Sequence, residues 1–141
     1  MTSASRGPVV VDTNVFGAGL TPRTAPLAER YDRLVVGRNR YISFQTVMEL
    51  EYGAARAGWG EPRRLRLTAL IASSEVVWAG VELTQACAEL RFACERIGHP
   101  LAQGGHNADL WIAATAVRLG LPLVSDDGLF DGVPGLLRET L

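Results

Sequence analysis

Lysine is absent from this 141-residue chain: all fourteen basic residues are arginine, so any chemistry that needs a lysine is excluded. Cysteine is scarce as well. Cys87 and Cys94 lie seven apart in a helical pattern, which puts them on one face as small hydrophobes, and the close CxxC spacing of a metal or redox motif does not occur. No apolar run approaches the roughly 18 residues of a membrane span. The first eight residues, "MTSASRGP", have no apolar stretch like that of a signal peptide and read as a flexible tail before a domain spanning 9–141. The expected location is therefore the cytoplasm.

What is present is ordinary for a globular domain: 48% hydrophobic and 21% charged residues, which argues against disorder. A chain of this length buries a core without disulfides. Its net charge of -1 hides an asymmetry. Through residue 66 there are ten arginines against six acids, a net +4; beyond it four arginines face nine acids, a net -5. A basic half beside an acidic half suits a polyanion lying near a metal site, and a solvated face explains it equally well.

Strand and helix patterns alternate. "VVVDTN" reads as a strand covered on both faces, because three valines show no polar alternation, and it delivers Asp12 to its carboxyl end. In open parallel sheets that edge gathers ligands and catalytic groups, although an aspartate there also caps a following helix. Helices are expected over "TAPLAERYDRLVVG", from Gln45 to about Ala57, over "RRLRLTALIASS", over "VELTQACAELRFACERIG" and over "NADLWIAATAVRLG". "YISF", "EVVWAG" and "LPLVSDD" are expected strands, and a fifth strand at "LRETL" is left open. This order defines an α/β sandwich on a mainly parallel sheet.

The acids carry the chemistry. "PLVSDD" repeats the opening motif, running apolar residues out into Ser125, Asp126 and Asp127 at the same edge, where turn chemistry also favours Asp and Gly. Asp109 shares a helical face with Ile112, Ala113 and Ala116, so it stands in the first turn on the side that meets the sheet. Asn107 is the expected cap of that helix. In "SFQTVMELEYGAARAG" two apolar stripes, Phe44–Met48–Tyr52–Ala55 and Val47–Leu50–Ala54–Ala57, leave Glu49 and Glu51 in opposite seams, and periodicity does not choose between them. Acids converging on one pocket repel unless a cation intervenes. With no lysine and few arginines nearby, a hard divalent ion, Mg²⁺ or Mn²⁺, suits oxygen-only ligands and points to metal-assisted phosphodiester hydrolysis. His99 and His106 sit in a Gly/Pro-rich loop and read as solvated; Trp78 and Trp111 read as packing residues.

Taken together, "VVVDTNVF", "ISFQTVMELEYGA" and "ADLWIAATAVRLGLPLVSDDGLF" resemble the PIN domain, and within it the VapC ribonuclease toxins of VapBC toxin–antitoxin systems. The resemblance runs from about Val9 to Phe130. It implies a three-layer α/β/α sandwich with about five parallel strands, and catalytic, metal-holding acids at Asp12, Glu49, Asp109 and Asp127. It selects Glu49 over Glu51 through the "EL" that follows the strand–helix junction. Thr13, Asn14, Ser125 and Asp126 fall beside these acids as supporting polar positions. Many relatives carry a further acid where this chain has Leu129, and Asp126 is the nearby substitute. The family also implies a homodimer, cleavage of tRNA or ribosomal RNA, a cognate VapB-type antitoxin, and DNA contact only through that antitoxin.

Arg63, Arg64 and Arg66 are candidates for the RNA backbone, with a solvated helix face as the alternative. Trp59 is a candidate for base stacking, or for core or dimer packing. Haloacid-dehalogenase-like phosphatases and phospho-accepting receiver domains share the strand-end acids, yet both want a lysine. The former also want an aspartate where Asn14 stands. A larger DNA-directed nuclease of related fold would carry inserts for which this chain has no room. The remaining alternative is a catalytically silent PIN-fold module that only binds protein.

Overall fold

A computed structural model describes residues 6–141, and residues 1–5 of the expected tail lie outside it. Five strands, β1 (Val9–Val11), β2 (Arg40–Ser43), β3 (Glu75–Val77), β4 (Leu123–Val124) and β5 (Arg138–Glu139), form one sheet in the order β3-β2-β1-β4-β5. Every pairing is parallel. The helices are α1 (Thr13–Phe16), α2 (Ala25–Val35), α3 (Phe44–Ala57), α4 (Glu61–Ala72), α5 (Val81–Arg96) and α6 (Asn107–Leu119). The expected α/β/α sandwich is what forms, and the open question at "LRETL" resolves to a parallel edge strand.

Three consecutive valines make sense once both faces are covered. Val10 points into a core built with α5 and α6, through Leu83, Leu90, Ile112, Ala113 and Ala116. Val9 and Val11 point the other way, into a core with Val15, Phe16, Tyr31 and Ile42. Burying each such side chain contributes about 2 kcal/mol. Cys87 and Cys94 are free thiols buried on α5, as the small-hydrophobe reading requires.

Local signals set the element ends. Ser43 caps α3 by accepting from the Gln45 amide at 3.1 Å, and Gly58, at φ +66°, closes it in the left-handed region that glycine tolerates. β5 is fastened by Arg38, whose buried guanidinium donates to the carbonyls of Gly7 and Leu34 and to Glu139 Oε1 at 2.8 Å. The start of the described chain, the end of α2 and the last strand thus meet at one arginine.

On α3, Thr46 and Ala54 are buried and Phe44, Val47 and Leu50 half-buried, while Met48 and Tyr52 are exposed. Two expectations are corrected. Trp78 leaves the sheet after β3 and is 65% exposed instead of packed. Asn107 begins α6 without capping it; His106 holds the cap position and makes no side-chain cap bond. Trp111 does pack, edge-on against Phe44 with ring centroids 5.3 Å apart. Among the described residues, no helix is long and apolar enough to cross a membrane.

Candidate active site

The sheet order creates the site. From β1 the chain proceeds to β2 on one side, while β4 is added on the other, so the direction of winding reverses between β1 and β4. Side-chain space opens at the carboxyl ends of strands at such a switch point. Asp12 follows β1, and Ser125 to Asp127 follow β4, in neighbouring register through Val11↔Val124.

Asp12 is 4% exposed and both its oxygens are engaged. Oδ1 accepts from the Thr13 amide at 2.8 Å, which makes Asp12 the cap of α1 as well as a strand-end acid. Oδ2 accepts from Ser125 Oγ at 2.8 Å. Burial raises its pKa from 3.8 to about 6; the bonds from Ser125 and Thr13 oppose the rise, and the charges of Asp109 and Asp127 add to it. Asp109 stands half-buried in the first turn of α6, on the face shared with the fully buried Ile112, Ala113 and Ala116. Its pKa is raised by burial, then by Asp127 and Glu49, while His106 works in the other direction. His106 Nδ1 lies 3.9 Å from Asp109 Oδ2.

The two remaining acids are held by short local devices. Asp127 Oδ1 accepts from the Leu129 amide at 2.9 Å, capping a 3-10 turn over Gly128–Phe130, and its own amide donates to Ser125 Oγ at 3.0 Å. Glu49 Oε1 accepts from Thr13 Oγ1 at 2.7 Å, and Thr13 Oγ1 is also 2.9 Å from the buried Thr46 Oγ1. Glu51 is exposed. The structure therefore brings Asp12, Glu49, Asp109 and Asp127 to one place, with Thr13 and Ser125 bonded to them. Asn14 is exposed at the mouth, and Asp126 points out to solvent, absent from the charges acting on Asp12 and Asp109. Leu129 packs against the α5–α6 core.

Among the described residues, no three His, Cys, Asp or Glu side chains are arranged as a ready cage for an ion. The donor set nevertheless fits a hard divalent cation: it is all oxygen, burial and then the neighbouring carboxylates raise the pKa of Asp12 and of Asp109, and no described arginine pairs with any of the four.

A cleft of about 550 Å³ opens from Thr13, Asn14 and Glu49 and runs along α3 to Trp59, with Arg23 on its other wall. The arginines of α4 have local partners. Arg64 Nε donates to the Trp59 carbonyl, Arg66 to the Leu20 carbonyl, and the Arg63 guanidinium lies 5.3 Å over the Trp59 ring. Sequence reasoning missed Arg23, Thr46 and the histidines. His99 accepts from the Leu101 amide and bonds the Asp131 carbonyl through its other nitrogen, so it fastens the loop that was read as solvated. A threonine three residues before a helix glutamate was the available signal for Thr46; Arg23 had none.

The PIN domain family matches residues 9–136, and the chain belongs to that family. Among solved structures it is similar to DNA-bound VapBC from Salmonella typhimurium, with 27% identity, a TM-score of 0.76, and 94% of this chain and 97% of that one covered. It is similar too to VapBC-5 of Mycobacterium tuberculosis, a member of the VapBC toxin–antitoxin family, at 26% identity, TM-score 0.69, and 96% and 99% coverage. VapBC2 from Rickettsia felis, bound to a promoter DNA fragment, shares the fold at 24% identity and TM-score 0.75, covering 94% and 97%. No curated protein matches the sequence significantly. Fold and motifs are thus those of a PIN domain, and the solved structures it resembles at 26–27% identity are VapBC proteins.

Proposed function

We propose that this chain is a divalent-metal-dependent endoribonuclease toxin, neutralised by a VapB-type antitoxin. The observation that carries the reading is the meeting of Asp12, Glu49, Asp109 and Asp127 at the β1/β4 switch point, with Asp12 and Asp109 pushed upward in pKa and no arginine to balance them. Asp12, Asp109, Asp127 and Glu49 would hold Mg²⁺ or Mn²⁺. Such an ion, when bound, lowers the pKa of a coordinated water and neutralises charge on a phosphate.

The chain's own residues set the geometry. Ser125 fixes the rotamer of Asp12 and, through the Asp127 amide, the approach of the second strand-end acid. Thr13 turns Glu49 inward, leaving Oε2 to orient an attacking water. Ile112, Ala113 and Ala116, fully buried on the face that Asp109 shares, fix the side of α6 from which it projects.

The VapBC neighbours are toxin–antitoxin complexes, two of them bound to DNA, which supports an antitoxin partner here and DNA contact through that partner. Homodimerisation and the cytoplasm as the place of action belong to the same reading. The test is cleavage of total cellular RNA by antitoxin-free protein in Mg²⁺ or Mn²⁺ against EDTA, with Asp12→Asn and Asp109→Asn alongside. Discrete fragments that need the metal and vanish in both variants support the reading. No cleavage by metal-loaded wild type would favour the binding module.

A further inference from the structure

The cleft beside the acids does not end at Trp59. A second hollow shares Ala57 and Trp59 with it and adds Arg63 and Arg66. A third shares Arg63 and Arg66 with the second and Thr21 with the first. The three adjoin one another through these shared residues, beside the Thr21–Thr24 segment and the start of α4.

Their linings carry Arg23, Arg63 and Arg66, but a single acid, Glu49, at the catalytic end. Among the described residues none of these arginines has a carboxylate partner, whereas Arg38, Arg91, Arg118 and Arg138 each do. Arg23 is exposed on the cleft wall. Trp59 is half-buried, lines both of the larger hollows, and carries the Arg63 guanidinium 5.3 Å over its ring. From Glu49 to Ala57 the floor follows eight residues of α3, about 12 Å.

This distribution has a direction. A polypeptide that neutralised the acids with its own cations would meet like charge at the arginine end. A strand with an anionic backbone and flat bases meets guanidinium and indole there, the two groups on which unpaired bases stack and phosphates bind. We propose that this arginine-lined track seats a single-stranded RNA segment next to the scissile phosphate, with Arg23 gripping a backbone phosphate and the Trp59–Arg63 stack receiving a base. The inference rests on the ribonuclease reading and assigns its substrate path.

The test measures binding of a fluorescein-labelled single-stranded oligoribonucleotide by anisotropy in EDTA across a salt series, and separately KM and kcat for RNA cleavage in Mg²⁺ or Mn²⁺. Arg23→Ala should weaken binding and lower the slope of log affinity against log salt by about 0.7, the share of one phosphate contact on a single strand. Trp59→Ala should weaken binding about tenfold with an unchanged salt slope. Trp59→Phe, which keeps an aromatic face, should retain most of the affinity. KM should rise in the weakened variants while kcat stays near wild type.

Arg96→Ala, on α5, serves as the control and should behave as wild type. Because Arg23 is exposed, its removal reads the track even if Trp59→Ala unfolds. Wild-type binding and KM in both Arg23→Ala and Trp59→Phe/Arg63→Ala would overturn the track, as would an equal loss in Arg96→Ala. Loss of affinity for a protein partner with RNA affinity intact would overturn it too. Wild-type cleavage alongside any of these results leaves the nuclease reading standing, whereas absence of wild-type cleavage removes that reading by itself.

Discussion

Ser125 Oγ donates to Asp12 Oδ2 at 2.8 Å across 113 residues of sequence, and accepts from the Asp127 amide at 3.0 Å. One hydroxyl thus joins the acids at the ends of two neighbouring strands. Replacing it with alanine removes a bond that holds the Asp12 pKa down and leaves the Asp127 amide without its acceptor. Loss of such a supporting bond typically costs 10–100-fold in metal affinity or activity. We expect Ser125→Ala to fall in that range and Ser125→Thr, which keeps the hydroxyl, to stay near wild type, both read as the Mn²⁺ concentration giving half-maximal cleavage.

Asp12 destabilises the metal-free fold at neutral pH. Its folded pKa of about 6 exceeds the unfolded 3.8, so the folded state binds the proton more firmly. The stability this gives is fully present below about 3.8 and is lost as pH rises to about 6. The difference of about two pKa steps corresponds to about 3 kcal/mol above pH 6. Asp12→Asn should therefore be more stable than wild type in EDTA at pH 7, with the advantage shrinking towards pH 4. Urea unfolding at the two pH values measures it, and equal midpoints at pH 7 would refute it.

Saturating divalent ions should reverse that order. A site that binds only in the folded state stabilises it by about 4.1 kcal/mol at about 1,000 times Kd, more than the deficit of about 3 kcal/mol. Thermal unfolding of wild type should shift upward with Mn²⁺, while Asp12→Asn and Asp109→Asn should respond far less. A uniform shift in all three would mean that the ion acts elsewhere.

Arg38 is the fastening of the β5 edge. Its side chain is 1% exposed, and its removal strands the Gly7 and Leu34 carbonyls and leaves Glu139 unpaired. Breaking a buried pair costs 3–5 kcal/mol; with Glu139 one-third exposed, we place Arg38→Ala at about 3 kcal/mol in urea unfolding. A loss below about 1 kcal/mol would show that the edge strand is held otherwise.

The valine run of β1 was legible because a strand buried on both faces needs no polar alternation, and Asp109 because its face is fixed by Ile112, Ala113 and Ala116. The choice between Glu49 and Glu51 was not legible in periodicity. Both stripes of α3 look apolar in sequence, yet Met48 and Tyr52 are exposed while Phe44, Val47, Leu50 and Ala54 pack, and Thr13, 36 residues away in sequence, is what donates to Glu49. Trp78 misled for the same reason: its hydrophobicity says nothing about whether another element covers it. Arg23 carries no local pattern, and only the fold places it across the cleft from α3.

The central claim is that Asp12, Glu49, Asp109 and Asp127 act as one divalent-ion centre, and calorimetric titration of Mn²⁺ into antitoxin-free protein tests it most directly. Wild type should bind, Asp12→Asn and Asp109→Asn at least tenfold more weakly, Glu49→Gln measurably more weakly, and the exposed Glu51→Gln as wild type. Equal binding by wild type and the two aspartate variants would contradict the account.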